Sequence, residues 1–130
     1  MLSLPVSVRI FIYTGVTDMR RSFDRLAQMV EEHLEQDPES GYLYLFFNRR
    51  RDCVKMLLWE GDGFVIWYKR LEAGTFAVPG PGPLCAGAPP RADGTQPAGV
   101  QIPARDLNLL LGGVDPARVT RRKRFARTSV

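Results

Sequence analysis

The sequence predicts an α+β fold: a small two-layer domain in which an antiparallel meander of about three strands, joined by an N-terminal strand, is covered by one amphipathic helix. Three observations carry this. Short runs rich in β-branched and aromatic residues suit strands, one longer stretch has apolar residues at helical spacing, and turn residues separate the runs at hairpin lengths. At 130 residues with 45% hydrophobic content, the chain has the size of one globular domain with a core of its own.

The first strand is read in "VSVRIFIYTG", Val6 to Gly15, which is β-branched and aromatic and ends on a glycine. A helix follows. Thr17 or Asp18 suits its N-cap, and Met19, Phe23, Leu26, Val30 and Leu34 recur at steps of three and four along one face. Pro38 and Gly41 in "DPESG" end it. Three strands come next, "YLYLFFN" (Tyr42 to Asn48), "CVKMLLWE" (Cys53 to Glu60) and "FVIWYKR" (Phe64 to Arg70), separated by "RRRD" and "GDG". In the middle strand Lys55, Leu57 and Trp59 share one face, and Val54, Met56 and Leu58 the other. The second of these faces is the more purely apolar, so the helix is expected to cover it.

This α+β domain is expected to span residues 1–78. Residues 79–100 hold six Pro and five Gly in 22, a composition that reads as an extended linker. Within 101–113, "IPARDLNLLLGG" predicts a short helix docking on the domain, with Pro103 in its first turn and a glycine stop. Residues 114–130, which include "RRKRFAR", read as a basic, disordered tail.

The formal net charge of +4 is unevenly placed. Residues 1–78 carry ten Lys/Arg against eleven Asp/Glu, and residues 79–130 carry eight against three. A general attraction to acidic partners therefore resides in the tail, and any basic site in the domain has to be local. Two cysteines, Cys53 and Cys85, make neither a disulfide framework nor a zinc motif, which fits a reducing cytoplasm. No apolar run approaches the roughly 20 residues of a membrane span, and the N-terminus lacks the basic region of an export signal.

Candidates for catalysis are few. His33, the single histidine, lies at the acidic end of the first helix with no Cys or His at metal spacing, and reads as a solvated helix residue. Asp18 and Asp24 are six apart and do not share a helical face. Cys53 has no neighbouring base to activate it, and "GDGF" lacks the Lys and Ser/Thr of a phosphate loop. No catalytic residue, metal, cofactor or small-molecule substrate is expected.

The better constellation is basic and aromatic. Arg49, Arg50 and Arg51 stand at one hairpin tip, Lys55 on the adjoining strand, and Lys69 with Arg70 at the end of the last strand. Trp59 and Trp67 lie among them as candidates for base stacking or partner contact. Cations with interleaved aromatics on a sheet make a nucleic-acid surface, with guanidinium groups on phosphates and rings on bases. The same residues also suit a solvated tip and a core, since charges at strand ends discourage edge pairing.

Taken in order, "TGVTDMRRSFDRLA", the stretch "DPESGYLYLFFNRRRDCVKMLLWEGDGFVIWYKRLEAGTF" and "LNLLLGG" resemble the TnpB-type accessory protein of the IS sixty-six class of bacterial insertion sequences. This is not the RNA-guided nuclease that shares the name. The resemblance runs through Thr17 to Arg20, Asn48 to Arg51, Lys55, Trp59, Gly63 and Trp67 to Leu71. It implies a part in DNA transposition beside two companion proteins, the largest of which carries the strand-transfer chemistry, and no catalysis by this chain. The partners it implies are the insertion-sequence DNA ends, the transposase and the companion protein; a protein adaptor that never touches DNA is the alternative.

Overall fold

The computed structural model describes residues 8–78, 99–112, 114–115 and 120–121. The expected linker at 79–98 and most of the basic tail lie outside the described residues. Five strands form one sheet: β1 (Ile10–Val16), β2 (Leu43–Phe47), β3 (Cys53–Trp59), β4 (Phe64–Arg70) and β5 (Gly99–Ile102), in the order β4-β3-β2-β1-β5. Helix α1 (Phe23–Met29) runs on into a π-helical turn at Val30–Leu34, and α2 spans Ala104–Leu111. Two-residue strands β6 (Val114–Asp115) and β7 (Thr120–Arg121) pair with each other. The α+β class and the β2-β3-β4 meander stand as the sequence predicts.

β1 pairs with β2 in parallel, because the helix between them carries the chain back across the sheet. β5 departs from expectation: Gly99 and Val100 belong to a strand rather than to the linker, and Gln101 and Ile102 precede the helix. Its pattern is short but alternating, with Val100 and Ile102 buried and Gln101 exposed, and it lies antiparallel to β1. A Cβ at Gly99 would collide with Leu34 Cδ2 of the π-helical turn, so that side chain would have to shift. Pro103 then caps α2 from an extended conformation, just outside the helix.

The two faces of the sheet are covered the opposite way round from the expectation. Leu26, Met29, Val30 and Leu34 pack on the Tyr44, Phe46 and Leu57 face, which also carries Lys55. The more apolar face, with Ile10, Ile12, Leu43, Leu45, Val54 and Met56, is covered by Leu107 and Leu110 of α2 and by Leu71 and Phe76. Aromatic area explains the choice. Phe11, Tyr44, Tyr13 and Phe46 make the α1 face apolar despite Lys55, with Phe11 and Tyr44 stacked at 5.7 Å. Each large side chain so buried contributes about 1.5–3 kcal/mol before entropy.

The start of α1 also differs. Its N-cap is Ser22, and neither Thr17 nor Asp18 lies at the helix end. The Thr17 N–H donates to Phe47 O at 2.9 Å, prolonging the strand pairing, and the Asp18 carboxylate accepts from the Arg20 N–H at 2.9 Å. A carboxylate satisfied two residues onward favours a turn before the helix begins. Met19 thus lies outside the helix and Phe23 is exposed. His33, expected as solvated, is half-buried and stacks on Tyr13 with ring centroids 5.3 Å apart.

Candidate functional site

Topology gathers the basic residues. Because β1 and β2 are parallel, the segment leaving β1 and the turn leaving β2 emerge at the same end of the sheet. β4 finishes there too, since Arg70 pairs with Cys53 at the start of β3. That end therefore holds Arg20 and Arg21, the tip arginines Arg49, Arg50 and Arg51, and Lys69 with Arg70, against Asp18, Asp52 and Glu72. The opposite end holds Asp37 and Glu39 before β2 and Glu60 and Asp62 around the β3–β4 turn, with Arg9 and Arg105. A domain that is nearly neutral in sum is thus polarised along its strands.

The β2–β3 tip is a clasped turn. Arg51 N donates to Asn48 O at 3.1 Å, and Asn48 Oδ1 accepts from the Asp52 and Cys53 N–H groups, each at 3.1 Å. Asn48 Nδ2 donates to Asp52 Oδ1 at 2.7 Å, which holds the Asp52 carboxyl below its usual range. Arg51 adopts a left-handed conformation with φ 59°. Such a residue after a type I turn is a common way to close a short hairpin. Leu71 N and Phe76 N donate to Asp52 O and Arg51 O, both at 2.7 Å, so the chain after β4 braces the tip.

The three arginines differ in freedom. Arg51 Nη1 reaches Val78 O at 3.4 Å. Arg49 and Arg50 are exposed, and among the described residues no hydrogen bond or ion pair holds their guanidinium groups. Arg20 is bound bidentately by Asp18, the closest contact being 2.7 Å, and this drives the Asp18 carboxyl down to about 2. Arg70 Nη2 lies 3.5 Å from Glu72 Oε1, a loose exposed pair.

The strand cations are divided. Lys55 and Arg70 lie on the α1 face and Lys69 on the α2 face, because neighbouring residues of a strand alternate. The three strand cations, grouped as one surface in the sequence, are thus shared between the two faces. Lys55 is only 9% exposed, and its Nζ donates to Arg21 O at 2.7 Å beneath the Tyr68 ring, 5.1 Å from the ring centroid. Lys69 Nζ donates to Leu111 O at 3.0 Å, meeting the negative end of α2. Both lysines support the end of the sheet structurally.

The tryptophans are not with the cations as a pair. Trp59 faces Phe64 edge-on at 4.9 Å beside the β3–β4 turn, at the acidic end. Trp67 lies on the α2 face, packed against its core. A ring that does stand at the basic end on the α1 face is Tyr68, 55% exposed. Tyr68, Arg20 and Arg21 were missed by sequence reasoning. A signal for the arginines was present: a helix joining two adjacent strands implies parallel pairing, which puts the residues after β1 next to the β2–β3 tip.

Nothing here has the look of an activated nucleophile. Burial pushes the Cys53 thiol up, and the Cys53 side chain in turn raises the Tyr68 hydroxyl. Asp18 precedes α1 and Asp24 sits in its first turn, so the two do not share the helix. Among the described residues no three of His, Cys, Asp and Glu come together, and no helix is long and apolar enough to cross a membrane.

Comparison with known proteins places this architecture. No solved structure matches the chain significantly. Two proteins of Sinorhizobium fredii (strain NBRC 101917 / NGR234) do: uncharacterized protein y4hO is 34% identical over 88% of this chain and 88% of its own length. Uncharacterized protein y4jC is 30% identical over 88% of this chain and 86% of its own. The family described as IS66 Orf2 like protein matches residues 8–121, a span that takes in the sheet, both helices and the whole basic end. The chain therefore belongs to the IS66 Orf2-like family, whose members are accessory proteins associated with insertion sequences.

Proposed function

We propose that this chain is a non-catalytic accessory factor of insertion-sequence transposition that holds DNA by its phosphates at the basic end of the sheet. The observation that carries the reading is the polarity of the domain: arginines from three separate stretches converge on one end, where they outnumber the acids, while at the other end the acids outnumber the arginines. Arg49 and Arg50, exposed on a braced tip, are the leading phosphate ligands, joined by Arg51, Arg21 and Arg70. Lys69 and the mostly buried Lys55 act chiefly by holding α2 and the Arg21 segment in place. A rigid turn loses little freedom when its guanidinium groups engage phosphate, and planar guanidiniums suit that contact. The insertion-sequence ends are the DNA this reading expects, with the transposase and the companion protein assembled beside it.

The test is a salt series with element-end duplex and random duplex, with and without the transposase. If four phosphates are neutralised, log affinity falls with log salt at a slope of roughly −3.6. Replacing Arg49, Arg50 and Arg51 together by Ala should flatten the slope and weaken binding at moderate salt; unchanged binding removes the assignment. The adaptor reading draws on a different observation, the position of β4 at the sheet edge with Trp67 half-buried beside its exposed end. Recovery of the transposase in a pull-down, with no shift of either DNA, would favour it.

A further inference from the structure

Tyr68 is an unusual ring. It is a large aromatic on an edge strand, yet more than half of it is open to solvent. It is also held in place. The Lys55 ammonium sits over the ring, 5.1 Å from its centroid, and is itself fixed by its bond to Arg21 O. Burial of such a ring against the core would be the ordinary outcome, and the same strand does that with Trp67. Arg70 stands two residues on, on the same face, at a distance of roughly 7 Å along the strand. The backbone of Arg21 lies across Lys55 from the ring.

We infer that Tyr68 is a stacking platform for an unpaired base of single-stranded DNA, with Arg70 and Arg21 placed to take the flanking phosphates. The inference rests on the phosphate-binding reading of this end of the sheet and adds the form of DNA recognised. A ring on an open surface gains nothing from a duplex, whose bases already cover one another, and it gains from a strand whose bases are free. The cation on the ring's inner side strengthens the platform by fixing it before the base arrives. Stacking of this kind tolerates any base, so the expected preference is for strandedness rather than sequence.

The experiment measures the full chain against a fluorescent oligonucleotide, single-stranded and as a duplex with its complement, at one fixed salt concentration. Tyr68→Leu should weaken single-strand binding by about ten-fold or more and leave the duplex within about two-fold. Tyr68→Trp should retain single-strand binding. Ultraviolet crosslinking of the unmodified chain to oligo-thymidine, mapped by mass spectrometry, should mark the peptide that contains Tyr68, and needs no variant to fold. Unchanged single-strand affinity in Tyr68→Leu, an equal loss for both forms of DNA, or crosslinks confined to other peptides would each overturn the inference. If duplex binding survives those outcomes, the phosphate-binding reading stands without it; if the unmodified chain binds neither form, both fall.

Discussion

Arg51 shows how one residue can serve the turn and the site with competing demands. Its left-handed backbone suits glycine, and a side chain held there costs on the order of 1–2 kcal/mol. Arg51→Gly and Arg51→Ala both remove the guanidinium, but only glycine relieves the backbone. Denaturant unfolding should therefore find the Gly variant the more stable of the two by about 1 kcal/mol, with DNA binding weakened alike in both. Asp52 offers a second test at this scale. Its carboxyl is held low chiefly by the bond from Asn48, so the latch contributes stability above the ordinary carboxylate value, and that contribution is lost as pH falls through the depressed one. Nuclear magnetic resonance titration of Asn48→Ala should return Asp52 toward the usual carboxylate range. The surroundings of Lys55 and Tyr68 were not legible in the sequence. Alternation told which face each occupied, but not that one lysine would turn inward to a backbone carbonyl and leave a tyrosine ring uncovered.

At the scale of elements, the meander was legible because its three strands are short runs rich in β-branched and aromatic residues and its turns have hairpin lengths. β5 was not, because four residues beside a Pro- and Gly-rich stretch carry too little pattern to stand out, and only pairing with β1 gives them meaning. At its junction with the π-helical turn, Leu34 occupies the space a side chain at Gly99 would need and would have to move. Gly99→Val should lower stability by roughly 1–3 kcal/mol in denaturant unfolding, a cost of overpacking. The same change in Gly63, where nothing stands within 4 Å of an added Cβ, should cost clearly less. The exchange of covered faces has a similar origin. Counting apolar positions on β3 alone favoured Val54, Met56 and Leu58, whereas the aromatic residues of β1 and β2 decided which face α1 would take.

For the whole molecule, the near-neutral sum over residues 1–78 conceals a separation of charge that only the topology reveals. Sequence alone collected six basic residues around the tip and the strand ends; the parallel β1–β2 pairing added Arg20 and Arg21 and moved Trp59 to the far end. Local charge makes a specific demand on the salt dependence of binding, because only cations that meet phosphates release counterions. The most direct measurement compares two variants that lose the same charge: Arg49→Ala with Arg50→Ala at the basic end, and Arg9→Ala with Arg105→Ala at the other. Duplex affinity across a salt series should show the slope reduced by about 1.8 in the first variant and unchanged in the second. Equal reductions in both, or none in the first, would contradict a phosphate-binding site at this end of the sheet.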